Sequence, residues 1–276
     1  VLKSDTDEPT MFSRWWSRPR IHDPLPDRLW RPARERSPLL QSLAADRAED
    51  LRRLAAGFLE RKSITPVQGL ELSPAERALI ACLCCLPVLE LGGHWLAGWR
   101  EVVVYPGAFR VRRSELDEPT GVLHEWEEEL SGEAWSEGPL ILSWEDLLLD
   151  QDEPESGCNV VAHEIAHKLD LRDGILDGTP PLPANRRQAW ARDFQSAFDS
   201  LCAEVEAGQD TLIDPYAATA PEEFFAVVSE YHFSASPVLG ETLPTVAAHL
   251  RAFYGPSPFE SDRPERPEVD GKSPRT

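Results

Sequence analysis

Asn159-Val160-Val161-Ala162-His163-Glu164-Ile165-Ala166-His167-Lys168-Leu169-Asp170 is the stretch on which the fold of this chain turns, and it contains H-E-x-x-H. Read as a helix, Ala162, Ile165, Ala166 and Leu169 form one apolar stripe, while His163, His167 and Asp170 form a separate polar one. Two histidines at i and i+4 project their rings from one face and can share a metal ion. Glu164 lies on the adjoining flank, where a carboxylate reaches a metal-bound water without ligating the metal.

Composition bounds the rest. The chain has 276 residues, 41% of them hydrophobic, with nine tryptophans. That is enough for one large domain or two tightly joined lobes with a real core. A formal charge of −20 argues against nucleic-acid backbones and anionic membranes as partners, because both repel an acidic surface. Five cysteines without framework spacing suit a reducing compartment. Cys82, Cys84 and Cys85 include a C-x-x-C but sit in an apolar run with no second ligand pair nearby, so they read as buried small hydrophobes. The uncharged stretch Ala78 to Leu89 is too short to span a bilayer. No leader pattern opens the chain, and a cytoplasmic protein is expected.

Residues 1–10 are polar, and Met11-Phe12 has the look of a natural start, which makes 1–10 an expected non-native extension. The proline-punctuated stretch to Pro38 is expected to be extended, so 1–38 reads as an N-terminal segment. From Leu39, apolar positions through Leu59 recur at helical spacing. Ser73-Pro74-Ala75-Glu76 predicts a capping box with proline in the first turn. Val102-Val103-Val104-Tyr105, Val122 to Leu130 and Leu140-Ile141-Leu142-Ser143-Trp144 predict strands, with Ser143 capping the helix after them. The class is therefore α+β and mainly helical, with a small, mostly antiparallel sheet preceding the H-E-x-x-H helix. Downstream, Trp190 to Val205 follows helical periodicity until Gly208. Gly255 to Thr276 is rich in Pro, Ser and charge and reads as a disordered tail, leaving 39–254 as the folded domain.

Two histidines are too few, because a catalytic zinc takes three protein ligands and a water. The best source of a third is Asp214-Pro215-Tyr216 through Pro221-Glu222-Glu223-Phe224-Phe225 to Glu230. Pro221 starts a helix there, with Thr219 as its expected cap. Glu223 and Glu230 are seven apart and share a face. Spacing leaves Glu222, Glu223 and Glu230 all open.

Beyond the motif, Val103-Val104-Tyr105-Pro106-Gly107, Gly132-Glu133-Ala134-Trp135, Gly138 to Trp144, His163 to Asp170 and Pro221 to Phe233 together resemble the Mlc titration factor A family of bacterial zinc peptidases, a gluzincin-type group. The likeness runs from about Met11 to Tyr254. The pattern Tyr-x6-Glu-Phe-Phe-Ala also resembles the catalytic domain of anthrax lethal factor. His232 departs from the pattern, where an aromatic side chain is expected.

The resemblance implies a zincin-like metallopeptidase fold over 39–254. It implies one Zn2+ per chain, held by His163, His167 and Glu223, with Tyr216 assisting the oxyanion. Glu164 would be the general base toward a zinc-activated water whose pKa falls to about 7. Asp170 and Glu230 are expected to orient ligand histidines from behind. The implied activity is aminopeptidase-like cleavage of small peptide substrates. The alternative it implies is a regulatory protein that sequesters a transcriptional repressor, with the peptidase site secondary.

Overall fold

The computed structural model describes residues 22–107, 109–117, 122–130, 132–134 and 138–260. Proline sets most of the helix starts. Helix α1 (Asp27–Arg36) follows Pro26, α2 (Pro38–Gln41) begins on proline, and α3 (Ala45–Arg61) leads to strand β1 (Ser63–Pro66). Helix α4 (Pro74–Cys85) opens on the capping box expected at Ser73, whose hydroxyl accepts from Glu76 N while the Glu76 carboxylate accepts from Ser73 N. Strand β2 (Glu101–Tyr105) follows, then a hairpin of β3 (Phe109–Asp117) and β4 (Val122–Leu130), then β5 (Gly132–Ala134) and β6 (Leu140–Ser143). Next come α5 (Trp144–Asp152), the motif helix α6 (Val160–Asp170), α7 (Ala184–Glu206), α8 (Pro221–Ser234), α9 (Ser236–Thr242) and α10 (Pro244–Tyr254). No helix among the described residues is long and apolar enough to cross a membrane.

The mainly helical α+β class is as expected, but the strand pairing is not. β1, β2 and β6 run parallel, and only the short β5 joins β6 antiparallel. β3 and β4 form a separate antiparallel pair. Parallel neighbours require long connections, and here α4 lies between β1 and β2 while the hairpin lies between β2 and β6. Residues Leu140 to Ser143 are all buried. Such a continuous run marks a strand covered on both faces, whereas a strand with one wet side alternates.

Two segment boundaries also move. The stretch to Pro38, expected to be extended, contains α1, whose Trp30 and Ala33 are buried and which packs against α4. Pro32 lies inside α1, so packing outweighs the hydrogen bond that proline forfeits. At the other end the tail does not begin at Gly255. Ser257 and Pro258 are buried, and Arg47 Nη2 donates to the Pro256 carbonyl at 3.0 Å. The expected start at Met11, the extension 1–10 and the tail beyond 260 lie outside the described residues.

Helix α6 packs against α8, α4, α5, β5 and β6 and buries nearly every side chain it has. Beneath it, Cys82, Cys84 and Cys85 of α4 are wholly buried, and burial pushes the Cys84 thiol up to about 12. An aromatic cluster sets the rotation of α8. Trp190 and Phe194 of α7 stack at 4.1 Å, and Phe224, Phe225 and Phe253 close around them edge-on.

His232 behaves as the aromatic whose place it takes. Its ring stacks on Tyr254 at 5.5 Å and meets Phe233 edge-on at 4.9 Å. Burial pushes its pKa down to about 4, against the opposing pull of a bond to the Gly255 backbone. In the unfolded chain it titrates near 6.5. The folded state therefore resists a proton that the unfolded state takes up, and stability is lost as pH falls below about 6.5 toward 4. This residue should cost about 2 kcal/mol of stability between pH 7 and pH 5. His232→Phe keeps the stack and removes that term. Urea unfolding of both proteins at the two pH values measures it, and equal losses in the two would exclude His232 as the source.

Candidate metal centre

Three acceptors converge on the N–H groups at the start of α6. The Asn159 side chain accepts from Ala162 N at 3.0 Å, Asp150 Oδ2 from Val160 N at 2.7 Å, and Glu230 Oε2 from Asn159 N at 2.6 Å. Burial pushes the Asp150 carboxyl up to about 7, although the Val160 bond opposes it. Glu230 belongs to α8 and so ties the two helices together. Its other oxygen, Oε1, accepts from His163 Nδ1 at 2.8 Å. A proton held on Nδ1 leaves the Nε2 lone pair facing outward for a cation.

That Nε2 atom lies 3.1 Å from His167 Nε2 and 3.2 Å from Glu223 Oε2, and the latter two are 3.4 Å apart. Ligands placed tetrahedrally at 2.0–2.1 Å from an ion stand about 3.3–3.4 Å from one another. The triangle thus fits a small cation held by one atom from each side chain. Its electrostatics agree. Burial disfavours a charged His163, yet the Glu223 and Glu230 carboxylates outweigh it and hold the ring well above its ordinary value. Burial also raises Glu223, yet hydrogen bonds to the two imidazoles pull its carboxyl well below the usual range. Both shifts express a demand for positive charge at the centre of the triangle.

Of the glutamates that spacing leaves open, Glu223 joins His163 and His167 in a group whose ligating atoms lie within 4.8 Å of one another, and Glu222 stays outside it. Glu230 stands behind His163, on the Nδ1 side of its ring. Glu164 is buried between the histidines on α6, at 3% exposure. The Tyr216 ring, on a 3-10 turn ahead of α8, lies 6.3 Å from the His163 ring.

Two expected contacts take other forms. Thr219 does not cap α8; its hydroxyl donates to the Tyr216 carbonyl at 2.7 Å. Among the described residues Asp170 meets no histidine. Fully buried, it accepts from the backbone N–H groups of Asp177, Gly178 and Thr179 at 3.1, 2.7 and 2.9 Å. His167 Nδ1 has no hydrogen-bond partner among the described residues.

The loop that Asp170 holds reaches the third glutamate indirectly. Gly178 has φ +79°, and a Cβ placed there would collide with the Pro221 carbonyl oxygen and lie 2.9 Å from its carbon. Its own carbonyl accepts from Trp190 Nε1 at 3.3 Å. Backbone thus presses on backbone at the first turn of α8, two residues before Glu223. The sequence marks Asp177-Gly178 as a turn, but nothing in it reveals that the turn touches Pro221.

Residues 13–255 match the family described as glucose-regulated metallo-peptidase M90. The chain belongs to that family. Over 225 residues it is 41% identical to Mlc titration factor A of Escherichia fergusonii, covering 80% of this chain and 84% of that protein. It is 40% identical over 239 residues to Mlc titration factor A of Enterobacter sp. (strain 638), covering 86% and 89%. The same-named protein of Yersinia enterocolitica is 40% identical over 226 residues, covering 80% and 83%. Membership in a metallopeptidase family implies a metal ion, and the His163, His167 and Glu223 group is the fitting site among the described residues.

Gly178→Ala should displace the start of α8 and lower metal affinity by at least about tenfold, because outer contacts that position ligands are worth 10- to 100-fold. Gly174→Ala is the control. Gly174 also has positive φ, +92°, but a Cβ there meets nothing within 4 Å. It should cost on the order of 1 kcal/mol of backbone strain and leave metal affinity unchanged. Competition with a chromophoric chelator measures both. Equal affinities in the two variants would remove the loop's influence on the site.

Proposed function

We propose that this protein is a zinc-dependent peptidase, with one zinc per chain held by His163, His167 and Glu223, acting as an aminopeptidase on small peptide substrates. The observation that carries the reading is the triangle of 3.1–3.4 Å formed by two imidazoles and one carboxylate, with Glu164 buried between the histidines. Imidazole and carboxylate donors suit zinc. Structural zinc sites use four protein ligands, whereas three is the catalytic number. When bound, zinc supplies a Lewis acid and lowers the pKa of its water to about 7.

The chain's own residues do the rest. Glu230 holds His163 in one tautomer and one orientation. Glu164 takes a proton from the attacking water as the C–O bond forms, then delivers it to the departing amine nitrogen, and the peptide C–N bond breaks as the carbonyl re-forms. Tyr216, 46% exposed at the mouth of the site, donates its hydroxyl proton in a hydrogen bond to the oxyanion that develops on the carbonyl.

A second reading draws on the relatives' name, titration factor. In it the protein sequesters a transcriptional repressor and the peptidase site is secondary. The buried Glu164 favours the first reading, since a docking surface needs no general base. Chromogenic amino-acid amides and unstructured peptides, tried on zinc-loaded protein with and without chelator, separate the two. Chelator-sensitive cleavage supports the peptidase, and no cleavage of any substrate supports sequestration.

Glu164→Gln should keep zinc and lose nearly all turnover. Glu223→Ala should lose zinc on dialysis, because two histidines hold it poorly. Metal analysis of both variants checks the assignment, and zinc retained at parental affinity by Glu223→Ala would remove Glu223 from the ligand set. Tyr216→Phe should lower kcat on the order of 10²- to 10³-fold with zinc content and KM little changed. Parental kcat in that variant would leave the hydroxyl no part in the reaction.

A further inference from the structure

Two loops flank the metal cluster in sequence, one leaving α6 and one approaching α8, and they share a pattern. Asp173-Gly174-Ile175-Leu176-Asp177 and Asp210-Thr211-Leu212-Ile213-Asp214 each set an apolar pair between aspartates four apart. In both, apolar side chains stand in water. Ile175 is 59% exposed, Leu176 39% and Leu212 70%, and Tyr216 just beyond the second loop is 46% exposed. Among the described residues these are four of the five exposed large hydrophobics, so the exposed apolar side chains concentrate in these two loops and at Tyr216.

The exposure is held in place. Asp170 pins 177–179, Asp173 Oδ1 accepts from Ile175 N at 3.2 Å, and Tyr231 Oη donates to the Leu212 carbonyl at 3.0 Å. Ile213 plugs the core at 2% exposure, which leaves Leu212 facing out.

Charge selects the occupant. Asp173, Asp177, Asp210 and Asp214 are all exposed. No lysine or arginine occurs between Arg192 and Arg251, and Lys168 is the only one from residue 138 to residue 171. Lys168 is buried and donates to the Gly138 carbonyl at 3.0 Å. Arg172 is turned onto the carbonyls of His94 and Trp95. The segments that build the site therefore offer almost no cation of their own, and an incoming chain with positive charge completes the surface.

We propose that these two loops form the binding surface for an extended peptide carrying apolar side chains next to lysine or arginine. The proposal rests on the peptidase reading of the site between them and names its substrate class.

Three labelled peptides of equal length test it, one with Leu and Lys, one with Glu in place of Lys, and one with Ser in place of Leu. Fluorescence anisotropy measures their binding to the zinc-loaded full chain bearing Glu164→Gln. The Leu/Lys peptide should bind at least about tenfold more tightly than either other one, and its advantage over the Glu peptide should shrink as salt is raised. Adding Leu212→Ser and Ile175→Ser, both at exposed positions, should reduce its affinity to that of the Ser peptide, with the melting temperature unchanged. Equal binding of the Leu/Lys and Ser/Lys peptides would reduce the effect to bulk charge and overturn the proposal. So would binding that ignores the two serine substitutions. Cleavage by the parent protein is read separately. Ordered binding without cleavage upholds the surface and removes the peptidase reading, whereas cleavage of all three at equal kcat/KM upholds the peptidase and removes the surface.

Discussion

A single carboxylate couples the two helices of the site. Glu230 uses one oxygen to accept from the backbone at the start of α6 and the other to accept from the His163 ring. The first bond satisfies an N–H group at a helix end, where negative charge is also favoured by the helix dipole. The second sets which imidazole nitrogen carries the proton. Because Glu223 lies two turns earlier on the same helix, α8 grips His163 from both sides, at Nδ1 through Glu230 and at Nε2 through Glu223. Rotate α8 by a fraction of a turn and both contacts fail together. The aromatic cluster of Trp190, Phe194, Phe224 and Phe225 opposes that rotation, so the geometry of the site depends on packing that never touches it.

Much of this was legible in the chain because it is local. The motif on α6, the capping box at Ser73, the strand at Val102 and the helix opened by Pro221 each follow from residues within a turn or two of one another. What was not legible is what packing decides between distant segments. Helix α1 survives an internal proline because Trp30 and Ala33 find α4. β1 has one buried residue, Ile64, too little pattern to declare a strand, and it exists because β2 pairs with it. The parallel sheet was in principle readable from the unbroken burial-prone run Leu140 to Ser143, whose lack of alternation was the sign.

Among the site residues, spacing placed Glu223 and Glu230 on one face but did not say which oxygen meets which nitrogen. Asp170 shows the converse. An acidic residue three positions after a ligand histidine invites a direct role, yet its oxygens are taken by three backbone N–H groups of the following loop. The loop it holds lies against the Pro221 carbonyl at Gly178, a single contact between segments far apart in the chain.

The absence of lysine and arginine between Arg192 and Arg251 also limits what chemistry can reach this wall of the molecule. Lysine acetylation, methylation and ubiquitination all require an amine that the segment does not possess. The lysines of the chain are Lys3, Lys62, Lys168 and Lys272, so control through such marks acts at one of those four and not within this segment. The same run has no site for a protease specific for basic residues, so Tyr216, Glu223 and Glu230 travel together on one long fragment when the protein is digested that way. An amine-reactive crosslinker would likewise report nothing about a partner seated here, and carboxylate-directed reagents are the ones that would see it.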